Sequence, residues 1–230
     1  MYVRIGKRLL DLLLALIASP FVLLALAILA PLIRHEDKGP VFYRAARMGK
    51  DGKPFTMYKL RSMHVDAPDL RTADGSTYNA ADDARQTNIG RLLRRTSLDE
   101  LPQLFNIWKG DMSFIGPRPD DLQEAALYQG DEACKLQLRP GISGYAQVFG
   151  RNAIQWRDRL ALDIYYVQHI SFLLDLRIFW RTFAVVFSQE GVFVKTSANA
   201  GSKNGADGTN GDAGSGCDLS DNAGSGNGGG

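Results

Sequence analysis

The sequence predicts an α+β fold that is mainly α, with an N-terminal membrane helix, one small β-hairpin and several amphipathic helices. Three observations predict it. An uncharged apolar stretch covers residues 12–33, two short apolar runs flank a turn at residues 50–53, and apolar residues recur at helical spacing over most of residues 89–187. A chain of 230 residues is long enough for one domain with its own hydrophobic core.

The first element is the apolar stretch, which has 22 residues without a charge. A straight helix of that length measures roughly 33 Å, enough to cross the core of a bilayer. However, Ser19-Pro20 in its middle predicts a kink, and both flanks are basic, which favours the cytoplasmic side for each end. The residues alone are therefore equally consistent with a helix that spans the membrane and with one that enters, bends at Pro20 and returns. The Ser19 hydroxyl is a candidate donor to a carbonyl freed by the proline.

The second element is a β-hairpin in which residues 41–47 pair with residues 54–60. Asp51-Gly52 supplies the turn between them. The residues that follow, 66–87, are polar and predict a surface loop.

Helices account for most of the remaining elements. Apolar residues at helical spacing predict a helix from Ile89 that ends at Gly110, and further helices are expected over residues 121–138 and 153–166. Residues 141–152 predict a loop with short extended pieces. A last helix, over residues 169–187, has aromatic residues interleaved with arginines. That pattern fits a helix at the membrane–water interface and equally an ordinary core helix.

These elements divide the chain into three regions: a membrane helix at 1–36, a globular domain at 37–195, and a tail at 196–230. The tail has eleven glycines in 35 residues, so we expect it to be disordered. The formal net charge is +2 overall and +5 over residues 1–195. This excess suits an anionic membrane surface or a phosphate-bearing substrate, and it is too small to predict nucleic-acid binding.

Asp99 and Glu100 form an acidic pair that has two interpretations. Ser97-Leu98-Asp99-Glu100 matches a capping box, in which Glu100 bonds back to the Ser97 amide and Asp99 complements the helix dipole. On this interpretation the pair only starts a helix.

The second interpretation is chemical. Helix N-termini attract phosphate, and arginines clamp phosphate oxygens in bidentate fashion; the candidates are Arg94, Arg95 and Arg118. A divalent cation such as Mg²⁺ would screen the repulsion between carboxylate and phosphate. An aspartate can then attack phosphorus, and its neighbour can act as a base.

Five stretches carry a resemblance to a known family: KRLLDLLLALIASP, PVFYRAARMGKDGKPFTMYKLRSM, IGRLLRRTSLDELPQLFNIWKGDMSFIGPRP, LRPGISGYAQVFGRNAIQW and LDIYYVQHISFLLDLRI. With them the chain resembles the small bacterial monotopic phosphoglycosyl transferases over residues 4–187. Ser143 stands where threonine is commoner in that family, a change that keeps the hydroxyl.

The resemblance implies an enzyme that transfers a sugar phosphate from a UDP-sugar to undecaprenyl phosphate and releases UMP. By the same resemblance, Asp99 is the nucleophile and a ligand of Mg²⁺, and Glu100 assists it. Arg118 is implied as the main phosphate clamp. The other implied binding residues are Lys59, Arg61, Arg95 and Asp175. For Asp175, pairing with Arg177 or Arg181 is an alternative that the residues leave open.

The resemblance also implies a re-entrant N-terminal helix broken at Ser19 and Pro20, with interfacial helices around an active site at the membrane surface. The expected location is the cytoplasmic face of the bacterial inner membrane, in contact with lipid and with downstream glycosyl transferases as possible partners. Two other functions remain open: a non-catalytic membrane scaffold of a glycan-assembly complex, and a glycosyl transferase that releases UDP instead of UMP.

Overall fold

The computed structural model describes residues 2–70, 83–150 and 156–188, and this part of the chain is mainly helical. The expected disordered tail, the boundary at residue 195 and residues 71–82 of the expected loop lie outside the described residues. The α+β, mainly α prediction is confirmed. The division of the chain into three regions stays a prediction.

The chain begins with a π-helical turn, Tyr2–Gly6, and continues into α1, Lys7–Asp37, which has 31 residues. In the described part of the chain, α1 alone is long and apolar enough to cross a membrane by length and composition. The Ser19 hydroxyl donates to the carbonyl of Ala15 at 2.7 Å. Because Pro20 has no N–H, the carbonyl of Leu16 lacks its usual helical donor. The Ser19 hydroxyl bonds to the neighbouring Ala15 carbonyl and therefore does not replace the lost bond.

One face of α1 packs against the rest of the molecule along its length. The buried residues are four or seven apart, which places them on one side of a helix: Lys7, Asp11, Ala15, Val22, Leu26 and Ile33. The opposite side exposes large apolar residues, among them Leu13, Leu16, Ile17, Phe21, Leu24 and Ile28. The helix therefore offers one face to protein and another to an apolar environment.

The predicted hairpin is confirmed. Strand β1, Phe42–Met48, pairs antiparallel with β2, Pro54–Leu60, so that Phe42 lies opposite Leu60. The turn contains Asp51 and Gly52 at φ 56° and 69°, the left-handed region that an Asp-Gly turn requires.

The helix expected between Ile89 and Gly110 is interrupted. It forms as α2, Asn88–Thr96, a 3₁₀ turn at Leu98–Glu100, and α3, Gln103–Lys109. Ser97 breaks it with a φ of 56°, because its amide turns back to the carbonyl of Arg94. Gly110 ends α3 in a left-handed conformation, as predicted.

A second, parallel pair of strands was not predicted: β3, Ser113–Ile115, and β4, Gly141–Ser143. Gly116 and Gly141 let the two backbone segments approach each other closely. A Cβ on Gly116 would lie 2.4 Å from the Arg139 carbonyl oxygen. The single helix expected at 121–138 is wrong: α4, Leu122–Ala125, is separated from a 3₁₀ helix, Gly130–Gln137. Strands β3 and β4 have three residues each, which is too short for apolar alternation to predict a strand.

The last three helices are α5, Tyr145–Phe149, α6, Trp156–Gln168, and α7, Phe172–Ser188. In α7 Ile178 is fully buried, whereas Leu173 and Trp180 are 74% and 64% exposed. A helix enclosed in a core would not expose such side chains, so this pattern favours the interfacial interpretation over the core one.

Candidate active site

The acidic pair lies in the 3₁₀ turn that follows the left-handed Ser97. Ser97 makes no side-chain capping bond, and Glu100 accepts a hydrogen bond from Lys59 instead. The capping-box interpretation is therefore wrong. The break at Ser97 removes the geometry that a capping box needs, and it leaves both carboxylates free to face the hairpin.

Lys59 on β2 is the cation that meets this pair. Its Nζ lies 2.8 Å from Glu100 Oε1 and 3.9 Å from Asp99 Oδ2. One ammonium therefore serves two carboxylates, and its hydrogen bond goes to Glu100. Asp99, which is only 8% exposed, is therefore the more weakly paired of the two carboxylates.

The two carboxyl groups are shifted in opposite directions. Burial raises the pKa of Asp99 to about 6; Lys59 opposes this and the charge of Glu100 adds to it. Burial acts on Glu100 in the same direction, but the charge and hydrogen bond of Lys59, with Arg118 and Gln103, outweigh it and lower the pKa of Glu100. Two neighbouring acids with diverging pKa values suit two different chemical roles.

The two neighbouring arginines of α2 point to different surroundings. Arg94 is partly buried, donates to the Ser62 hydroxyl at 2.9 Å, and acts electrostatically on Asp99. Burial lowers its pKa. Arg95 is exposed. Successive helical residues are about 100° apart, so only one of two adjacent arginines can face the acidic pair. Arg94 is the one that does.

Arg118 lies in the Pro-Arg-Pro turn that follows β3, with its side chain exposed. Its backbone amide donates to both carboxylate oxygens of Asp163, each at 3.3 Å. Its charge helps to lower the pKa of Glu100, so the turn brings this guanidinium within electrostatic reach of the acidic pair. The predicted phosphate clamp is thus near the predicted nucleophile.

A buried lysine cluster, made of Lys135, Asp120 and Asp163, supports that turn. Lys135 Nζ lies 2.6 Å from Asp120 and 2.8 Å from Asp163, and Tyr128 donates to Asp120 at 2.6 Å. Sequence reasoning missed this cluster. Its members are 15 to 43 residues apart, so no short sequence motif contains them. The available signal of a buried charge was a lysine placed among the apolar residues Cys134 and Leu138.

Two predicted site residues have other partners in the structure. Arg61 is ion-paired with Asp37 at the end of α1 and donates to the Pro40 carbonyl. Asp175 accepts hydrogen bonds from Lys7, Tyr2 and Tyr166. The open alternative for Asp175, pairing with Arg177 or Arg181, is thus replaced by pairing with Lys7. Both residues fasten α1 to the rest of the molecule.

The residues that the structure describes offer little of a metal site by themselves. Among residues 2–70, 83–150 and 156–188, no group of three or more His, Cys, Asp or Glu side chains could hold a metal ion. Mg²⁺ is commonly bound by one or two carboxylates together with substrate phosphates and water. The buried, weakly paired carboxylate of Asp99 fits one such protein ligand.

Comparison with known proteins identifies the family. The family model described as bacterial sugar transferase matches residues 2–189. The uncharacterized sugar transferase EpsL of Bacillus subtilis is 42% identical over 190 residues, which are 81% of this chain and 89% of that protein.

Two further relatives have more specific names. The UDP-glucose:undecaprenyl-phosphate glucose-1-phosphate transferase of Caulobacter vibrioides is 40% identical over 192 residues, 78% of this chain and 69% of that protein. The undecaprenyl-phosphate galactose phosphotransferase of Salmonella typhimurium is 38% identical over 169 residues, 69% of this chain and 36% of that protein. Some relatives are therefore much longer than this chain. The chain belongs to the bacterial sugar transferase family, the phosphoglycosyl transferases that its motifs resemble.

Proposed function

We propose that this enzyme transfers a sugar 1-phosphate from a UDP-sugar to undecaprenyl phosphate through a covalent intermediate on Asp99. The products are UMP and undecaprenyl-diphospho-sugar. The observation that carries the proposal is the asymmetric acidic pair: a buried carboxylate with its pKa raised to about 6, beside one that is ion-paired to Lys59. The names of two relatives supply the donor and acceptor classes.

In the first half-reaction an oxygen of Asp99 attacks the sugar-proximal phosphorus of the donor. The bond from that phosphorus to the bridging oxygen breaks, and UMP leaves with the electron pair. Arg94 and Lys59 face this position and Arg118 is near it, so the developing charge on phosphate oxygens would meet three cations.

In the second half-reaction a phosphate oxygen of the lipid acceptor attacks the phosphorus of the phospho-sugar enzyme. The bond to Asp99 breaks and its carboxylate is restored. Glu100, kept ionised by Lys59, would accept a proton that the acceptor phosphate still carries. When bound, Mg²⁺ would screen the charge between carboxylate and diphosphate, with Asp99 as its protein ligand.

The packing of α1 supports a re-entrant arrangement at the membrane. At the start of the apolar stretch, Asp11 accepts from the Ser113 hydroxyl at 2.9 Å; beyond its end, Asp37 pairs with Arg61. The same globular body thus contacts both flanks. In a spanning helix the flanks lie on opposite sides of the bilayer, where one water-exposed body cannot reach them both. With the basic flanks, this favours the cytoplasmic face of the inner membrane.

Covalent labelling tests the proposal most directly. Purified protein in nanodiscs is mixed with a panel of UDP-sugars labelled in the sugar, without acceptor, then quenched and analysed by intact-protein mass spectrometry. We expect one donor at least to leave a sugar phosphate on the peptide that carries Asp99, with an equal amount of UMP. Undecaprenyl phosphate should then remove the label. A protein that turns over while staying unmodified would refute the covalent intermediate.

The same assay separates the competing functions. A scaffold would release no nucleotide from any donor, and a glycosyl transferase that keeps the diphosphate on the nucleotide would release UDP. EDTA should stop labelling, and Mg²⁺ added in excess should restore it. Unimpaired labelling in EDTA would remove the metal from the proposal.

Sidedness tests the re-entrant helix. Single cysteines replace Ile5 and Lys38, which are both exposed, in a background without the two native cysteines. In inverted membrane vesicles an impermeant thiol reagent should label both cysteines. In right-side-out vesicles it should label neither cysteine. Opposite results for the two positions would mean a spanning helix.

We propose downstream glycosyl transferases as consumers of the product, because an undecaprenyl-diphospho-sugar is a lipid-linked start for a longer glycan.

A further inference from the structure

A cavity of about 410 Å³ opens beside the first residues of β1. Its lining consists of Pro40, Val41, Phe42, Tyr43, Arg44 and Arg61. We propose that this cavity, the Tyr43 cavity, holds the first isoprene units of the polyprenyl phosphate acceptor as the chain passes from the membrane to the acidic pair. The inference rests on the proposed function and adds to it a place for the lipid.

One wall of the cavity is joined to the end of the membrane helix. Arg61 in the lining is ion-paired with Asp37, the last residue of α1, and also donates to the carbonyl of Pro40. Asp37 lies four residues beyond Ile33, where the apolar stretch ends, which is about 6 Å along a helix. The cavity therefore begins close to the level at which the hydrocarbon ends.

The other wall leads to the acidic pair. Tyr43 lies opposite Lys59 in the hairpin, and residues that face each other in this way project from the same side of the sheet. Lys59 is in turn 2.8 Å from Glu100 and 3.9 Å from Asp99. Tyr43 also lies close enough to Arg94 to influence its pKa. A lipid phosphate between Lys59 and Arg94 would have Tyr43 next to its first carbons.

The chemistry of the lining fits an isoprenoid better than a nucleobase. Most of it is apolar, and the rings of Phe42 and Tyr43 are 42% and 53% exposed. Arg61 is neutralised by Asp37. Among the described lining residues there is no side-chain amide, serine or threonine to pair with the polar edge of uracil, and the guanidinium of Arg44 lies over the ring of Tyr58. An isoprene unit has no polar edge, and it gains by covering exposed aromatic rings.

The test measures the two half-reactions separately in the variants Tyr43→Ala and Phe42→Ala. Adduct formation from the donor, measured without acceptor, should match the wild type within about twofold. The KM for undecaprenyl phosphate should rise about tenfold, the scale expected for losing one buried aromatic contact. A prenyl phosphate carrying a photoreactive group on its first isoprene unit should crosslink to the peptide that contains residues 40–44 in the wild-type protein.

Phe105→Ala is the matched control, because Phe105 is an aromatic residue of α3 that is 43% exposed and does not line the cavity. It should leave the KM for the acceptor unchanged. An equal rise in Phe105→Ala would assign the effect to general membrane affinity and overturn the inference. So would a loss of adduct formation in Tyr43→Ala, which would make this the nucleotide site, or crosslinks confined to other peptides. A wild-type protein that forms no adduct refutes the proposed function itself, before any Tyr43 variant is compared.

Discussion

Two clusters in this molecule have the same composition, one lysine and two carboxylates, and opposite character. In the buried lysine cluster the ammonium lies 2.6 Å and 2.8 Å from its two carboxylates, and Lys135 is only 4% exposed. At the acidic pair the ammonium of Lys59 lies 2.8 Å from one carboxylate and 3.9 Å from the other, and its side chain is about a quarter exposed.

The difference lies in how completely each carboxylate is paired. Asp120 and Asp163 each contact Lys135 and receive a further donor, from the Tyr128 hydroxyl or the Arg118 amide. Asp99 is buried while its lysine bonds mainly to the neighbouring carboxylate. A fully paired buried cluster fixes a structure, whereas a buried carboxylate whose cation is bonded mainly to a neighbour is available for chemistry.

The largest expected effect is at Asp99. Asp99→Asn keeps the size of the side chain and removes the nucleophile, so we expect turnover to fall at least about 10³-fold and the covalent adduct to disappear. Asp163→Asn is the matched change in the other cluster and should still form the adduct, although more slowly if the turn carrying Arg118 shifts. Persistent adduct in Asp99→Asn would transfer the nucleophilic role to another residue.

The next effect is on stability and should be large in one cluster and small in the other. Lys135→Met leaves two buried carboxylates facing each other without a cation, so the free energy of unfolding should fall by about 3–5 kcal/mol. Lys59→Met should change it by less than about 1 kcal/mol, because its pair is partly exposed to water. Denaturant titration in detergent measures both. Equal losses would mean that the two clusters are energetically alike.

The pH dependence of adduct formation should follow Asp99. Its carboxylate form is the nucleophile, and burial raises its pKa to about 6, so the rate should rise about tenfold per pH unit below that value and level off above it. Lys59→Met removes a charge that favours the ionised form, and should therefore shift the rise to higher pH. Rapid-quench labelling between about pH 4 and pH 8, about two units either side of the midpoint, would show both curves. A flat profile would contradict the burial of an ionising nucleophile.

The smallest effect is a gain in stability from the same Asp99→Asn change. The folded pKa of Asp99 is above its ordinary value of 3.8, so its contribution to stability is present at low pH and is lost as the pH rises through about 6. Asparagine avoids that loss, and we expect the variant to be about 1–2 kcal/mol more stable at neutral pH. Below the ordinary pKa the two proteins should unfold alike. A destabilised variant at neutral pH would show that the Asp99 charge is already compensated.

The sequence predicted the elements that have local signals. The hairpin followed from two apolar runs around Asp51-Gly52, and the end of α3 followed from Gly110. The parallel strands β3 and β4 were missed because each has three residues and their partners are 28 residues apart. The interruption at Ser97 was missed because a serine at a left-handed φ has no strong sequence signal, and the same residues read equally well as a capping box.

For the candidate site, the sequence by itself predicted the acidic pair, the candidate clamp Arg118 and the long apolar helix, since these depend on residue type and short spacing. Tertiary structure alone decided which cation serves which carboxylate, that Arg94 faces the pair while Arg95 faces solvent, and that Arg61 and Asp175 hold α1 in place. The reason is physical: the ion pairs of Lys59, Arg61 and Asp175 join residues that are 24 to 168 positions apart in the chain, and no local pattern encodes those distances.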